Sequence, residues 1–143
     1  MKFTQATDYA FRIIFYLSQQ KPGEIVEARQ ISERESIPIR FLLKTIRSLS
    51  QAGIVKSYRG LKGGYSLAQD PKEITLKDIV EAVEGPVRIN KCLLNDKDCN
   101  KDATSWCPIH KALRNVQKVT NSELEKYNFC DLININQHRD KEE

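Results

Sequence analysis

Three cysteines and one histidine in the C-terminal half of the chain have the residue types expected of a metal-binding site. Cys92, Cys99, Cys107 and His110 are separated by six, seven and two residues. Cys107 and His110 lie three residues apart at the predicted start of a helix, so their side chains share one helix face. Thiolate and imidazole groups are ligands of zinc and of iron–sulfur clusters. These four residues are therefore the candidate metal ligands.

The spacing leaves three interpretations open. Structural zinc sites usually contain cysteine pairs that are two to four residues apart, and this sequence has no such pair. A [2Fe-2S] or [4Fe-4S] cluster distributes its ligands over several irons, so wider spacing along a loop fits it better. Zinc is the second interpretation, and a set of reactive or buried thiols without metal is the third. Cys130 lies outside the group and is expected to pack as a small apolar residue.

Composition limits the classes of protein to be considered. The 143 residues are 40% hydrophobic and 29% charged, which is typical of a single globular domain and offers no apolar run of about 20 residues that could span a membrane. Asp8 and Arg12 interrupt the apolar N-terminal stretch, unlike an export signal, so a cytoplasmic location is expected. No nucleophile–base set, Walker loop or Rossmann glycine pattern is present, which argues against an enzyme.

Charge is concentrated in one block of the chain. Residues 29–62 contain eight basic and two acidic residues, whereas residues 1–28 are balanced and residues 63–143 are slightly acidic. A basic block in an otherwise balanced chain is typical of a surface that neutralises phosphates. The block therefore indicates a nucleic-acid interface.

Hydrophobic spacing predicts a mainly α fold with a small β-wing. Helices are predicted over 4–19, 27–34, 38–50, 75–85 and from Pro108 onward, with a glycine-rich hairpin between strands 54–58 and 65–68. Residues 1–85 then form a winged helix-turn-helix domain, 86–106 an irregular cluster-binding loop, and 107–143 a dimerisation helix and tail of the same integrated domain. The third helix is expected to bury Ile39, Leu42, Leu43, Ile46 and Leu49, and the tail after Asn136 is expected to fray.

The third helix and the wing carry the candidate DNA contacts. A recognition helix shows polar side chains to the major groove while its opposite face packs in the core. A glycine-rich wing approaches the duplex closely and can place an arginine in the minor groove. The candidate DNA-binding residues are Ser36, Arg40, Lys44, Thr45, Arg47, Ser48, Arg59 and Lys62.

The chain resembles the IscR/NsrR-type family of small winged-helix, iron–sulfur-responsive transcription regulators. The resemblance runs from Lys2 to about Ile133 and rests on TDYAFR at Thr7–Arg12, VKSYRGLKGGYSL at Val55–Leu67, ITLKDIVEAVEG at Ile74–Gly85, and three cysteines followed by a long helix. It implies a homodimer that binds a two-fold DNA operator, with Arg59 at the family's wing arginine. It further implies a cluster held by the three cysteines and a fourth ligand. That ligand matches His110 in one branch and Asp8 of the partner subunit in the other.

These observations together predict a homodimeric transcription regulator, usually a repressor, controlled by a cluster that senses iron, redox state or nitric oxide. The chain departs from the family in slightly longer intervals between its cysteines and in the additional Cys130. Two alternatives stay open. One is a constitutive DNA-binding regulator with structural zinc, and the other is a cluster-free regulator controlled by a protein partner.

Overall fold

A computed structural model describes residues 2–139 and 141 and contains a winged helix-turn-helix followed by a long helix. The elements are α1 (Gln5–Ser18), α2 (Ala28–Glu35), α3 (Ile39–Gln51), β1 (Val55–Tyr58), β2 (Gly64–Leu67), α4 (Leu76–Glu84), α5 (Pro108–Lys126) and α6 (Phe129–Arg139). Short 3-10 turns lie at Lys91–Leu93 and Asp96–Asp98. This order confirms the predicted fold class. No helix in the described part of the chain is both long and apolar enough to cross a membrane.

Helix α1 forms the centre of the hydrophobic core. Its apolar residues recur at three- and four-residue spacing, so one face is continuous, and Ala10, Ile13 and Ile14 are completely buried. The Thr4 hydroxyl accepts a hydrogen bond from the Thr7 amide and caps the helix. The core that α1 organises takes side chains from every helix except α5, and from both strands.

Helices α2 and α3 form the helix-turn-helix. Ser36 ends α2 in the left-handed conformation (φ 53°). Two hydrogen bonds close the turn: the Ile37 amide donates to the Ser32 carbonyl, and the Ser32 hydroxyl donates to the Ile37 carbonyl. Ile31 and Ile37 are buried on either side of this turn. The chain therefore reverses direction on a short, well-packed connection that fixes the orientation of α3.

The buried face of α3 differs from the expectation at its edges. Leu42, Ile46 and Leu49 are buried, whereas Ile39 and Leu43 are each 45% exposed. The prediction that these two residues belong to the core face is therefore wrong. Packing of α3 against α1 and α4 centres its buried face on Leu42 and Leu49, so Ile39 and Leu43 lie at one edge of that face.

The wing is a two-stranded antiparallel hairpin. Val55 pairs with Leu67 and Tyr58 with Gly64, and a single bridge from Val26 to Tyr65 joins the hairpin to the body of the domain. A Cβ at Gly63 would lie 2.5 Å from the Tyr58 carbonyl oxygen. One at Gly64 would collide with the Val26 carbonyl oxygen, so both positions require glycine.

Helix α4 is fixed at both ends. Thr75 and Asp78 form a capping box at its N-terminus. At its C-terminus the Glu84 carboxylate accepts hydrogen bonds from the Thr4 amide at 2.7 Å and from the buried Thr7 hydroxyl at 2.6 Å. Partial burial raises the pKa of Glu84, but the hydrogen bonds from Thr7 and Thr4 together lower it by more. The net pKa therefore lies below the usual 4.5. Glu84 therefore connects α4 to the start of α1.

We expect Glu84→Gln to lower the free energy of unfolding by about 1 kcal/mol at pH 7, because it removes charge-assisted hydrogen bonds at a partly solvated site. The folded-state pKa is depressed, so this stabilisation is full above the unfolded value near 4.5 and is lost as the pH falls through the lower folded value. Urea unfolding of both proteins at pH 7 and pH 3 measures the difference.

Glu81→Gln is the matched control for this prediction. Glu81 lies on the same helix and makes one exposed ion pair with Lys77 at 3.9 Å, so its loss should cost almost nothing. Equal stabilities of the Glu84→Gln variant and the unmodified protein at pH 7 would show that Glu84 does not stabilise the junction.

The C-terminal helices extend the domain beyond its winged-helix part. Phe129 at the start of α6 is buried, and its amide donates to the Ile74 carbonyl. Helix α6 then packs along α1 and continues to Arg139. The predicted fraying is therefore wrong for residues 137–139, and residues 140, 142 and 143 lie outside the described residues. Cys130 is half-buried in the first turn of α6.

Candidate functional site

The outward face of α3 is cationic and carries no acidic residue. Arg40, Lys44 and Arg47 are exposed at three- and four-residue spacing, so their side chains share one face. None of the three forms an ion pair with another described residue. A helix with a complete core face and a positive outer face has the chemistry to meet phosphates and base edges in a major groove.

The other candidates near α3 occupy different positions. Ser36 is exposed in the turn before the helix, and Ser48 is half-buried in an open groove of about 850 Å³ between α1, α3 and α4. Thr45 is only 4% exposed, and its hydroxyl donates to the Phe41 carbonyl at 2.8 Å. We therefore remove Thr45 from the candidate DNA contacts, because its only polar group is buried and satisfied.

The wing carries two further exposed cations of the basic block. Arg59 and Lys62 are exposed on the hairpin loop, and Leu61 between them is fully exposed at the tip. Lys56 on β1 is also exposed and lies 5.4 Å from the centre of the Tyr58 ring. Sequence inspection missed Lys56, although its place in the basic block could have suggested it.

The cysteine loop brings one pair of predicted ligands together. The Nδ1 atom of His110 lies 3.3 Å from the Cys92 sulfur. His110 is buried, and its Nε2 atom lies 2.9 Å from the Arg114 guanidinium. Because arginine can only donate, Nε2 is the acceptor, and Nδ1 therefore carries the proton that faces sulfur. Arg114 was not predicted, although its position four residues after His110 is a signal for such a pair.

Cys99 and Cys107 lie apart from this pair. Within residues 2–139 and 141, no three His, Cys, Asp or Glu side chains are close enough to hold one metal ion. Cys107 is half-buried at the N-cap of α5. The backbone amides of Ala103 and Lys101 donate to the Cys99 sulfur and lower the pKa of this thiol below its usual 9.0.

The donor chemistry nevertheless fits a thiolate-bound group. All four cysteines are free thiols, and three of them lie on the irregular segment or at its junction with α5. Thiolate is the form that binds iron or zinc, and the amides around Cys99 favour that form. The segment is attached to α5 by the Ile89 amide, which donates to the Gln117 side chain at 3.1 Å.

Asp8, the alternative fourth ligand, lies on the exposed side of α1. Its Oδ2 atom accepts hydrogen bonds from Arg12, one helical turn later, and from Gln5. The Arg12 guanidinium also donates to the Glu35 carbonyl and lies 5.0 Å from the centre of the Tyr9 ring. Asp8 is therefore held in position at the surface of α1.

Helix α5 presents an apolar stripe that no described residue covers. Ile109, Val116 and Val119 are 67%, 50% and 66% exposed and lie on one side of the helix. A second side of the helix carries the buried His110 and the half-buried Gln117 and Leu124. Helix α5 contacts α4 and the Lys91–Leu93 turn. The helix thus has two packing faces, of which one is occupied.

Comparison with known proteins supports the same class of protein. The sequence profile of the Rrf2 family, described as iron-dependent transcriptional regulators, matches residues 3–135. The chain is 33% identical to the HTH-type transcriptional regulator NsrR of Bacillus subtilis over 136 residues, which cover 93% of this chain and 90% of NsrR.

Solved structures share the fold. IscR of T. potens superposes with a TM-score of 0.73 at 25% identity, covering 94% of this chain and 87% of that one. CymR, the global cysteine regulator of B. subtilis, superposes with a TM-score of 0.71 at 23% identity, covering 92% and 95%. These relatives are regulators rather than enzymes, as predicted. The chain is therefore a transcription regulator and a member of the Rrf2 family.

Proposed function

We propose that the protein is a homodimeric repressor that binds a two-fold operator through α3 and the wing of each subunit. The observation that carries this proposal is the outer face of α3, where Arg40, Lys44 and Arg47 are exposed without an acidic neighbour on the helix. The exposed wing cations Arg59 and Lys62 extend the positive surface. Phosphate contacts from such a surface provide most of the non-specific affinity and fix the register for base recognition.

The dimer interface is proposed to be the uncovered stripe of α5. Ile109, Val116 and Val119 would pack against the same residues of a second copy, since a two-fold interface uses one patch on both subunits. Burial of these side chains removes apolar surface from water at about 25 cal/mol per Å². Two α3 helices would then be held at a fixed separation, which is what a two-fold operator requires.

The thiols of Cys92, Cys99 and Cys107 are proposed to hold an iron–sulfur cluster. The family description and the similarity to NsrR and IscR support this assignment, as do the free thiols and the lowered pKa of Cys99. When bound, the cluster would supply an iron centre whose state depends on iron supply, redox conditions or nitric oxide. The chain's own contribution is a loop of thiols whose two ends are fixed to α4 and α5.

The hydrogen bonds favour Asp8 over His110 as the fourth ligand. Both ring nitrogens of His110 are engaged, one with Arg114 and one with the Cys92 sulfur. The bonds to Asp8 all end on Oδ2, which leaves Oδ1 without a partner among the described residues. We propose that this oxygen reaches the loop of the other subunit in the dimer, while the hydrogen bonds from Arg12 orient the carboxylate.

A continuous set of contacts links the loop to the DNA-binding face. Gln117 of α5 holds the loop backbone at Ile89, and α5 packs against α4. Glu84 at the end of α4 holds the start of α1. Helix α1 in turn packs against α3. These helices would have one arrangement that binds the operator well and one that binds it poorly. Binding of the cluster to the loop changes operator affinity only if the cluster binds these two arrangements with different free energies.

A cluster-free regulator is the second candidate. It is favoured by the separation of Cys99 and Cys107 from the Cys92–His110 pair in the described residues, and by the fold shared with CymR. Structural zinc is the remaining alternative. Metal and acid-labile sulfide analysis of protein purified without oxygen distinguishes the three, because iron with sulfide, zinc alone and no metal are different results.

We expect Arg59→Ala to weaken operator binding by about 1–3 kcal/mol, roughly 5- to 150-fold, if the side chain reads a base edge or a narrow minor groove. Arg59→Lys is the matched variant, because it keeps the positive charge but loses the planar guanidinium. The prediction requires that Arg59→Lys does not restore full affinity. Equal titration curves for the unmodified protein and Arg59→Ala would remove the wing from the interface.

Lys62→Ala tests a phosphate contact rather than base recognition. One lost contact should lower the slope of log K against log salt concentration by about 0.9. Lys72→Ala, which removes an exposed lysine outside α3 and the wing, should leave the slope unchanged. Fluorescence anisotropy between 50 and 200 mM salt measures both slopes, and an unchanged slope for Lys62→Ala would place this lysine away from DNA.

A further inference from the structure

Two exposed aliphatic side chains on α3 are not explained by the core or by phosphate binding. Ile39 and Leu43 are each 45% exposed and lie four residues apart, so they share one side of the helix. The core face of the helix is already complete with Leu42, Ile46 and Leu49. The third exposed apolar residue, Phe41, has a packing role, because it lies beside the Tyr9 ring.

Leu43 borders the cationic face of α3, next to Arg47 and Arg40. At about 100° per residue, Leu43 is roughly 40° around the helix axis from Arg47 and roughly 60° from Arg40. A surface that binds this face must therefore be anionic and must also offer an apolar group close to its phosphates. The major groove of DNA satisfies both conditions, because the C5-methyl group of thymine projects into it.

The geometry points to Leu43 as a specificity-determining residue that recognises a thymine methyl group in each operator half-site. This inference rests on the proposed DNA binding through α3 and adds a base preference to it. Arg40 and Arg47 position the helix on the duplex, and Leu43 then excludes water from the methyl group. Ile39 lies one turn earlier on the same side of the helix and is also 45% exposed.

The test removes the methyl group from DNA and the leucine from the protein. Full-length protein prepared without oxygen selects its preferred duplex from a random pool. Each thymine of that duplex is then replaced by deoxyuridine, which lacks only the C5-methyl group. For the unmodified protein, one thymine in each half-site should show a Kd about fourfold weaker after replacement, equal to about 0.8 kcal/mol for one buried methyl-sized group.

In Leu43→Ala, the thymine and deoxyuridine duplexes should bind equally. Ile135→Ala is the matched control, because Ile135 is 63% exposed on α6 and its removal should leave the fourfold penalty intact. Circular dichroism confirms that both variants fold. A penalty that persists in Leu43→Ala would overturn the inference, as would a selected duplex in which no replacement changes the Kd.

Two other outcomes also contradict the inference and have distinct meanings. If selection enriches no duplex, the proposed DNA binding itself fails. If DNA binding is unaffected by Leu43→Ala while the sedimentation coefficient of the protein changes, the aliphatic pair contacts a second copy of the chain.

Discussion

Cys107→Ala is expected to abolish the retention of iron and acid-labile sulfide by protein purified and reconstituted without oxygen. Cys107 is half-buried at the N-cap of α5, and its amide donates to the Ala103 carbonyl at 2.8 Å. Cys107 thus joins the loop to the long helix. The alanine methyl group cannot bind iron, and no neighbouring thiol can take the place of the lost ligand. Iron and sulfide analysis together with the visible absorption spectrum measure the effect.

Cys130→Ala is the matched control for this experiment. Cys130 is also a half-buried free thiol, but it lies on α6 and contacts the region of Pro71 through its backbone amide. Its removal should leave the iron and sulfide content unchanged. If both variants kept the full iron content, the assignment of the loop thiols as ligands would be refuted.

Val119→Asp is expected to convert the proposed dimer to a monomer. Val119 is 66% exposed in the apolar stripe of α5, so a dimer of this geometry would bury one added carboxylate per subunit. Burial of an unpaired charge costs several kcal/mol, and we expect dimerisation to weaken by at least about 100-fold. Sedimentation equilibrium should give the 16.5 kDa mass of one chain for the variant and twice that for the unmodified protein.

Lys118→Asp places the same residue at the adjacent position, which faces away from the stripe. This variant should remain dimeric. If the unmodified protein sedimented as a monomer at micromolar concentration, or if both variants dissociated equally, the stripe would not be the interface.

The elements that repeat a local pattern were predictable from the sequence. Periodicity identified α1, α3 and α5, the Thr75–Asp78 spacing marked the start of α4, and glycines marked the wing. Each of these signals depends on neighbours within a few residues. The chain order of the elements therefore followed without knowledge of tertiary contacts.

The rotation of α3 about its axis was less well predicted. Thr45 is buried, whereas Ile39 and Leu43 are exposed. Thr45 lies three residues after Leu42 and four before Leu49, so spacing alone places it on the buried face, although its polarity suggests the surface. Packing of α1 and α4 against α3 buries Thr45 despite its polarity.

The arrangement of the candidate ligands could not be derived from spacing. Residues 86–106 lack periodicity, so nothing local determines where Cys92 and Cys99 lie relative to α5. The pairing of His110 with Arg114 and of Asp8 with Arg12 follows four-residue spacing, but it depends on which helix faces are free. The length of α6 was likewise set by packing along α1 rather than by its own weak pattern.

The most direct test of cluster-controlled DNA binding is a comparison of operator affinity between two forms of the same preparation. Protein reconstituted without oxygen and its metal-free form are titrated against the selected duplex at one salt concentration. Control by the loop predicts that their Kd values differ by at least about tenfold, within the usual range of coupling free energies. Equal Kd values for an iron-loaded and a metal-free sample would contradict it.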